Sequence, residues 1–247
     1  MIITAPDSCD DSDSSLCFIT QTDHARLAAD FLSLVRHRDL VDEAMRGDLV
    51  FATREHDNGW AEADSAPRID PEGNAFDFLT LPSQHRLELW QRGVERYADE
   101  RPAATCWIIQ HALSLHSSLV DDPQWGPAIK SWAEFQQNLL EESGMTPSSM
   151  SRLYSWLDLA DSVSLAICSR SVSLFDHSKY RAALAEEAAP GNFATLMLDP
   201  FPLAGTTTFK MNIRRVAPRA FQSDGDLALA LATAKWERVD VRIQPYP

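Results

Sequence analysis

The stretch SRLYSWLDLADSVSLAIC, residues 151–168, decides the architecture. It is the most apolar helical segment in the chain, and so little of it is polar that it reads as a central helix. Asp161 lies inside it. A carboxylate there has to be paired, hydrogen-bonded or metal-bound if it is buried. Asp158, three residues earlier on the same face, competes for that role.

Working outward, further helices are expected around it. Residues 127–143 form an amphipathic segment. A helix beginning after Pro102 carries Trp107, Ile108, His111 and Leu115, and one from Ser83 to about Glu100 aligns Leu87, Trp90, Val94 and Tyr97. Another runs from about Asp48 to Asp57 and stops at Asn58-Gly59, where glycine supplies a left-handed cap. The first helix is capped by Thr22 and Asp23 and repeats Leu27, Ala28, Phe31, Leu32 and Val35 at helical spacing. Between Trp60 and Pro82 the chain is irregular, broken by Pro67, Pro71 and Gly73. Its Ile69, Phe76, Phe78 and Leu79 indicate a segment packed down as a lid or rim.

The ends differ in character. Ile2–Thr4 and Leu16–Thr20 read as short strands around DSCDDSDSS (7–15), an acidic, serine-rich turn expected to be a mobile loop. Phe209, Met211 and Ile213 alternate with Lys210, Asn212 and Arg214, and Val239, Val241 and Ile243 alternate with Arg238, Asp240 and Arg242, the two-residue period of half-buried strands. Leu196 and Leu198 precede the turn-rich DPFPLAG, and residues 224–234 suggest a short helix. The expected fold class is mainly α: a helical bundle with a small, mostly antiparallel β-sheet formed by the N- and C-terminal segments. One domain is expected over 1–247, with N-terminal strands in 1–21, a helical body in 22–190 and a β-rich segment in 191–247.

With 247 residues and 45 % apolar side chains, the chain is long enough to bury a sizeable core. Lys and Arg number 22 against 36 acids, a net charge of −14 that repels a phosphate backbone, so no nucleic-acid partner is expected. No apolar run is long enough to span a membrane. The first residues lack the basic and apolar regions of a secretory signal, so a cytoplasmic location is expected. Cys9, Cys17, Cys106 and Cys168 show no C-x-x-C spacing, and Cys106 and Cys168 lie in apolar runs as buried free thiols.

The sharpest chemical feature is REHDNGW (54–60), in which His56-Asp57 offers a nitrogen and an oxygen ligand from one helix end. His24 precedes it on the first helix, His85 opens the helix after the long loop, His111 lies on the next, and Asp161 on the central one. His37, His116 and His177 are set aside. His37 lies between two arginines and His177 in a polar turn, and His116, five residues after His111, points about 140° away around a helix. Arg26, Arg54 and Arg68 are candidates to hold an anionic substrate group, and Trp60 to wall a pocket.

This order of His, His-Asp, His, His and Asp on separate helices resembles the HD-domain superfamily, helical proteins that bind one or two metals. REHDNGWAEADSAPRIDPEGNAFDFLTLP (54–82), DLADSVSLAIC (158–168) and KWERVDVRI (235–243) also resemble an uncharacterised bacterial family of HD-like proteins, over nearly the whole chain. The resemblance implies an HD-like bundle in which His24, His56, Asp57 and Asp161 form the basic metal set. His85 and His111 would be the extra ligands of a two-metal site bridged by Asp57. Asp161 is preferred to Asp158 because the D-x-x-S-L run around it matches the family pattern. Ala63 departs from that pattern, which has a second tryptophan at this position.

Three functions follow as expectations. The first is a metal-dependent hydrolase of a small phosphorylated metabolite, with one or two divalent ions (Fe, Mn or Zn), and with Asp57, Arg54 and Arg68 as its catalytic groups. The second is an HD-type diiron oxygenase that cleaves a C–C or C–P bond and needs all six ligands. The third is a non-catalytic metal-binding or structural domain.

Overall fold

The computed structural model describes residues 1–4, 15–40, 42–186 and 191–247. The acidic turn and Cys9 fall outside the described residues. In chain order the elements are β1 (Ile2–Thr4), β2 (Leu16–Ile19), α1 (Gln21–Leu34), α2 (Glu43–Glu55), α3 (Ala61–Ser65), α4 (Ser83–Glu95), α5 (Pro102–Leu115), α6 (Gly126–Ser143), α7 (Pro147–Ser169), β3 (Arg181–Leu184), β4 (Asn192–Asp199), β5 (Thr207–Val216), α8 (Asp224–Thr233) and β6 (Trp236–Pro245).

The expected fold class, a mainly α HD-like bundle with a small sheet, is corrected. Helices take 52 % of the structure and strands 18 %, and the strands form one six-stranded sheet curled into a half-barrel. Its order is β1-β2-β5-β6-β4-β3, with β4 and β6 parallel and the other neighbours antiparallel. β3 also falls inside the stretch expected to be helical. Its sequence, RAAL, has no alternation to announce a strand, and its register is imposed by β4, where Ala182 faces Leu198 and Leu184 faces Leu196.

One continuous apolar cluster joins helices and sheet. Phe209, Met211 and Ile213 of β5, Val241 and Ile243 of β6, and Leu196 and Leu198 of β4 pack with α1 and with the central α7. The other face of the sheet near β2 is covered by α8, where Phe18, Val216, Phe221, Leu227 and Leu231 form a second, smaller cluster.

Local chemistry explains several boundaries. The cap of α1 is Thr20, not Thr22 and Asp23: Thr20 has extended backbone directly after β2, its Oγ1 accepts from the Asp23 N–H at 3.0 Å, and its hydroxyl donates to Asp23 Oδ2 at 2.7 Å. Pro102 and Pro147 open α5 and α7 at positions where a missing N–H costs nothing, and Gly144 closes α6 with φ 67°.

Gly59 does not act as a left-handed cap. It lies in a short 3-10 turn (58–60), and a Cβ built there would come within 2.1 Å of the Leu89 carbonyl oxygen and 3.3 Å of Gly93 Cα. The glycine is needed because the turn after His56-Asp57 is pressed onto α4. Asn58 fastens the same contact by donating to the Gly93 carbonyl at 3.0 Å.

Replacing Gly59 with alanine should therefore push backbone against backbone and cost about 3 kcal/mol or more. Gly144→Ala, where the Cβ meets nothing within 4 Å, carries only the left-handed penalty, about 1–2 kcal/mol. Urea unfolding of the two variants checks the difference, and a Gly59→Ala protein as stable as Gly144→Ala would contradict this account.

Candidate metal centre

Four helices deliver the central residues. His24 comes from the first turns of α1, His111 from α5 and Asp161 from the middle of α7. His56 and Asp57 follow the last residue of α2, where the chain leaves the helix toward the turn held by Gly59. All five are buried.

Their polar atoms converge. His24 Nε2 lies 3.0 Å from Asp57 Oδ2 and 3.6 Å from Asp161 Oδ1. His56 Nε2 lies 3.5 Å from Asp57 Oδ2 and 3.3 Å from Asp161 Oδ1. His111 Nε2 stands 3.8 Å from Asp161 Oδ2. Ligands held ~2.1 Å from one cation at right or tetrahedral angles are about 3.0–3.4 Å apart; the 3.0 and 3.3 Å separations fall in that range, and those of 3.5, 3.6 and 3.8 Å lie just beyond it. Two overlapping groups could hold a metal ion: His24 with His56 and Asp57, and His56 with His111 and Asp161.

The outer hydrogen bonds set the tautomers. His56 Nδ1–H donates to the Thr53 carbonyl at 2.7 Å. Ser164 spends its hydroxyl proton on the Asp161 carbonyl at 2.9 Å, so its oxygen accepts from His24 Nδ1–H at 2.7 Å. In their neutral forms both rings therefore turn an Nε2 lone pair toward two carboxylates. His56 Nε2 is buried and makes no hydrogen bond. With both rings neutral only acceptors meet here, an arrangement that could hold a metal ion and that a proton can also relieve, on His56 or between His24 Nε2 and Asp57 Oδ2, 3.0 Å apart.

The protein alone can supply only a proton. Burial disfavours a charged His56, but the Asp57 and Asp161 carboxylates outweigh it and raise its pKa to about 9. Burial likewise opposes ionised Asp57 and Asp161, yet His56 and His24 bring both below the usual carboxylate range. Burial, followed by the charge on His56, lowers His111 to about 4 and keeps it neutral.

A cavity of about 310 Å³ opens onto Asp57, His111 and Asp161. Trp60, Phe78 and Trp90 wall it, and Arg86 and His116 also line it. His24 and His56 are not among its lining residues.

The remaining candidates go elsewhere. His85 does not join the cluster; it lines a neighbouring cavity of about 390 Å³ with Arg68, whose guanidinium is hydrogen-bonded to His85 Nε2. Arg54 is on the exposed side of α2, and Arg26 is paired with Asp23. The expectation that Arg54 and Arg68 serve the cluster is not met by these positions. Trp60 borders both cavities.

Two residues that line this cavity were not among the candidates: Arg86 was not considered and His116 was set aside. Arg86 directly follows His85, the only signal the sequence gives. His116 lies just beyond α5, where the 100° step of the helix no longer applies. It stacks on Trp125 at 4.3 Å, and its Nδ1–H donates to the Ala112 carbonyl at 2.8 Å.

Fold and site together define an α+β protein with a buried His/Asp centre able to hold a metal ion beside a small cavity. Residues 9–218 match a family described as protein of unknown function (DUF3891), and the chain belongs to that family. No curated protein and no solved structure matches it.

Asp158, the rival to Asp161, points away from the cluster, with its side chain 41 % exposed and His177 Nε2 4.0 Å distant. Partial burial, then the charges of Asp161 and Asp176, raises its pKa to about 6. The native state thus holds a proton that the unfolded chain has already lost between pH 4 and 6, and stability falls as pH rises through that window. Asp158→Asn should raise the melting temperature at pH 7.5, with the gain vanishing near pH 4. Calorimetry at the two pH values tests this, and an equal gain at both would count against the assignment.

Proposed function

We propose that the protein is a metal-dependent hydrolase of the HD type acting on a small phosphorylated molecule. His24, His56, Asp57 and Asp161 would hold one divalent ion, with His111 as a further ligand on the cavity side. The observation that carries this reading is the buried meeting of two imidazole lone pairs with two carboxylates at the floor of a cavity. A divalent ion supplies charge to offset a developing phosphoryl transition state and makes bound water acidic enough to react near neutral pH.

The chain's own groups have distinct tasks in this scheme. Thr53 and Ser164 hold the protons of His56 and His24 on Nδ1, which keeps both Nε2 atoms available. Trp60, Phe78 and Trp90 exclude bulk water from the reacting group. Arg86 provides positive charge for an anion in a chain whose average field is strongly negative. Iron, manganese and zinc all accept this mixture of imidazole and carboxylate.

The diiron oxygenase is the second reading. It asks for six ligands including His85, and the position of His85 in the neighbouring cavity favours the one-ion alternative. The non-catalytic reading leaves an aromatic cavity on the cluster without a purpose.

Elemental analysis of protein purified without added metal, beside Asp57→Ala, is the decisive measurement. About one divalent ion per chain, lost in the variant, is the expected result, together with metal-dependent phosphate release from a panel of phosphomonoesters. Two irons per chain and oxygen uptake on adding a substrate would move the oxygenase to first place. No metal in either protein, even after reconstitution, would remove the metal centre.

A further inference from the structure

The cavity over the cluster is lined by two chemically different kinds of group. The first is the guanidinium of Arg86. Its Nε is shut off from solvent and has no hydrogen-bond partner among the described residues. In a chain with 36 acids to 22 bases, most arginines that point at a group point at a carboxylate: Arg96 meets Glu62, Arg101 meets Asp48 at 2.7 Å, Arg181 meets Asp199 at 3.0 Å and Arg215 meets Glu237 at 3.1 Å. No acid among the described residues is paired with Arg86. A partly enclosed guanidinium without its own counter-ion is suited to an anion from outside.

The second is apolar: Phe78, Leu79, Leu115, Leu119 and Leu165. Leu79 and Leu115 are 55 % and 56 % exposed, among the most exposed large apolar side chains of the described residues, and both belong to this one cavity. Such a wall gives the hydroxyl groups of a sugar few partners, Gln21 and Ser118 being the neutral polar residues of the lining. It does offer area to an alkyl or aryl group.

We propose that the substrate is an amphiphilic phosphomonoester, its phosphate on Arg86 beside the His/Asp cluster and its alkyl or aryl part along Phe78, Leu79, Leu115 and Leu119. The proposal rests on the hydrolase reading above and narrows its substrate class. The volume of about 310 Å³ sets the scale at a short chain or a single ring. In the reaction the oxygen of water forms a new P–O bond and the ester P–O bond breaks. The leaving oxygen takes up a proton, giving an apolar alcohol and inorganic phosphate.

Phosphonates test this by binding alone, because hydrolysis does not cleave their C–P bond. Manganese-reconstituted protein is titrated calorimetrically with hexylphosphonate, phenylphosphonate and the polar 2,3-dihydroxypropylphosphonate. The first two should bind at least ~10-fold more tightly than the third, the effect of a few buried CH2 groups. Arg86→Gln should weaken all three by about 10- to 100-fold without changing metal content, as loss of a charged hydrogen bond does. Leu115→Ser should narrow the gap between apolar and polar ligands. Arg86→Lys, which keeps the charge, is the second variant should Gln not fold, and it should fall between wild type and Gln.

Equal or tighter binding of the dihydroxypropyl compound would overturn the apolar assignment, and unchanged binding in Arg86→Gln would overturn the role of Arg86. Either result leaves the metal centre standing. If the protein takes up no metal, the hydrolase reading falls. The same titration of metal-free protein then still decides on Arg86 and the apolar wall.

Discussion

The structure depends on a concentration of like groups: two buried carboxylates and two imidazole lone pairs facing one point. Each ionised carboxylate removed from water costs several kcal/mol unless something positive compensates it. Thr53 and Ser164 take up the Nδ1 protons and so prevent His56 and His24 from turning a donor inward. What remains is a proton on His56, or a metal ion. The first is a makeshift, since one proton cannot sit at once on 3.0 to 3.6 Å contacts spread over four atoms. A metal ion could be bonded to three residues at a time, His24 with His56 and Asp57 or His56 with His111 and Asp161.

Much of the fold serves that point. The central helix α7 carries Asp161 among apolar neighbours and cannot rotate without exposing them. The turn after α2 is held against α4 by the Gly59–Gly93 approach and by Asn58, which fixes where Asp57 stands relative to α4. That contact also sets the position of Trp60, the wall common to the two cavities. The half-barrel sheet supports α1 and α7 from behind, so that His24 and Asp161 are placed by elements packed on a common surface.

How much of this the sequence disclosed follows from which signals are local. The apolar periodicity of residues 151–168 and the His56-Asp57 pair are local, and the residues brought together at the cluster were all legible as candidates. The extent of the sheet was not, because Arg181–Leu184 is a strand only through its pairing with β4. The cap of α1 depended on where β2 ends. His85 and Arg86 show the limit most clearly: adjacent residues on a helix point about 100° apart, and the rotation of α4 is decided by packing at Gly93, seven residues away. Sequence could place one of the two at the cluster's cavity but had no means to choose the second.

That choice changes the chemistry. A histidine at this position would have extended the ligand set toward a second metal, as the six-ligand scheme requires. An arginine adds a fixed positive charge that cannot ligate and that favours an anion next to the cluster. With a net charge of −14, the protein's overall field repels anions at a distance, so in the proposed scheme an anionic ligand is selected at short range by Arg86 and by contact with apolar side chains. A ligand with only charge would meet the repulsion without the compensating contact. The proposed ligand, with both charge and an apolar part, is matched to the two kinds of group that line the cavity.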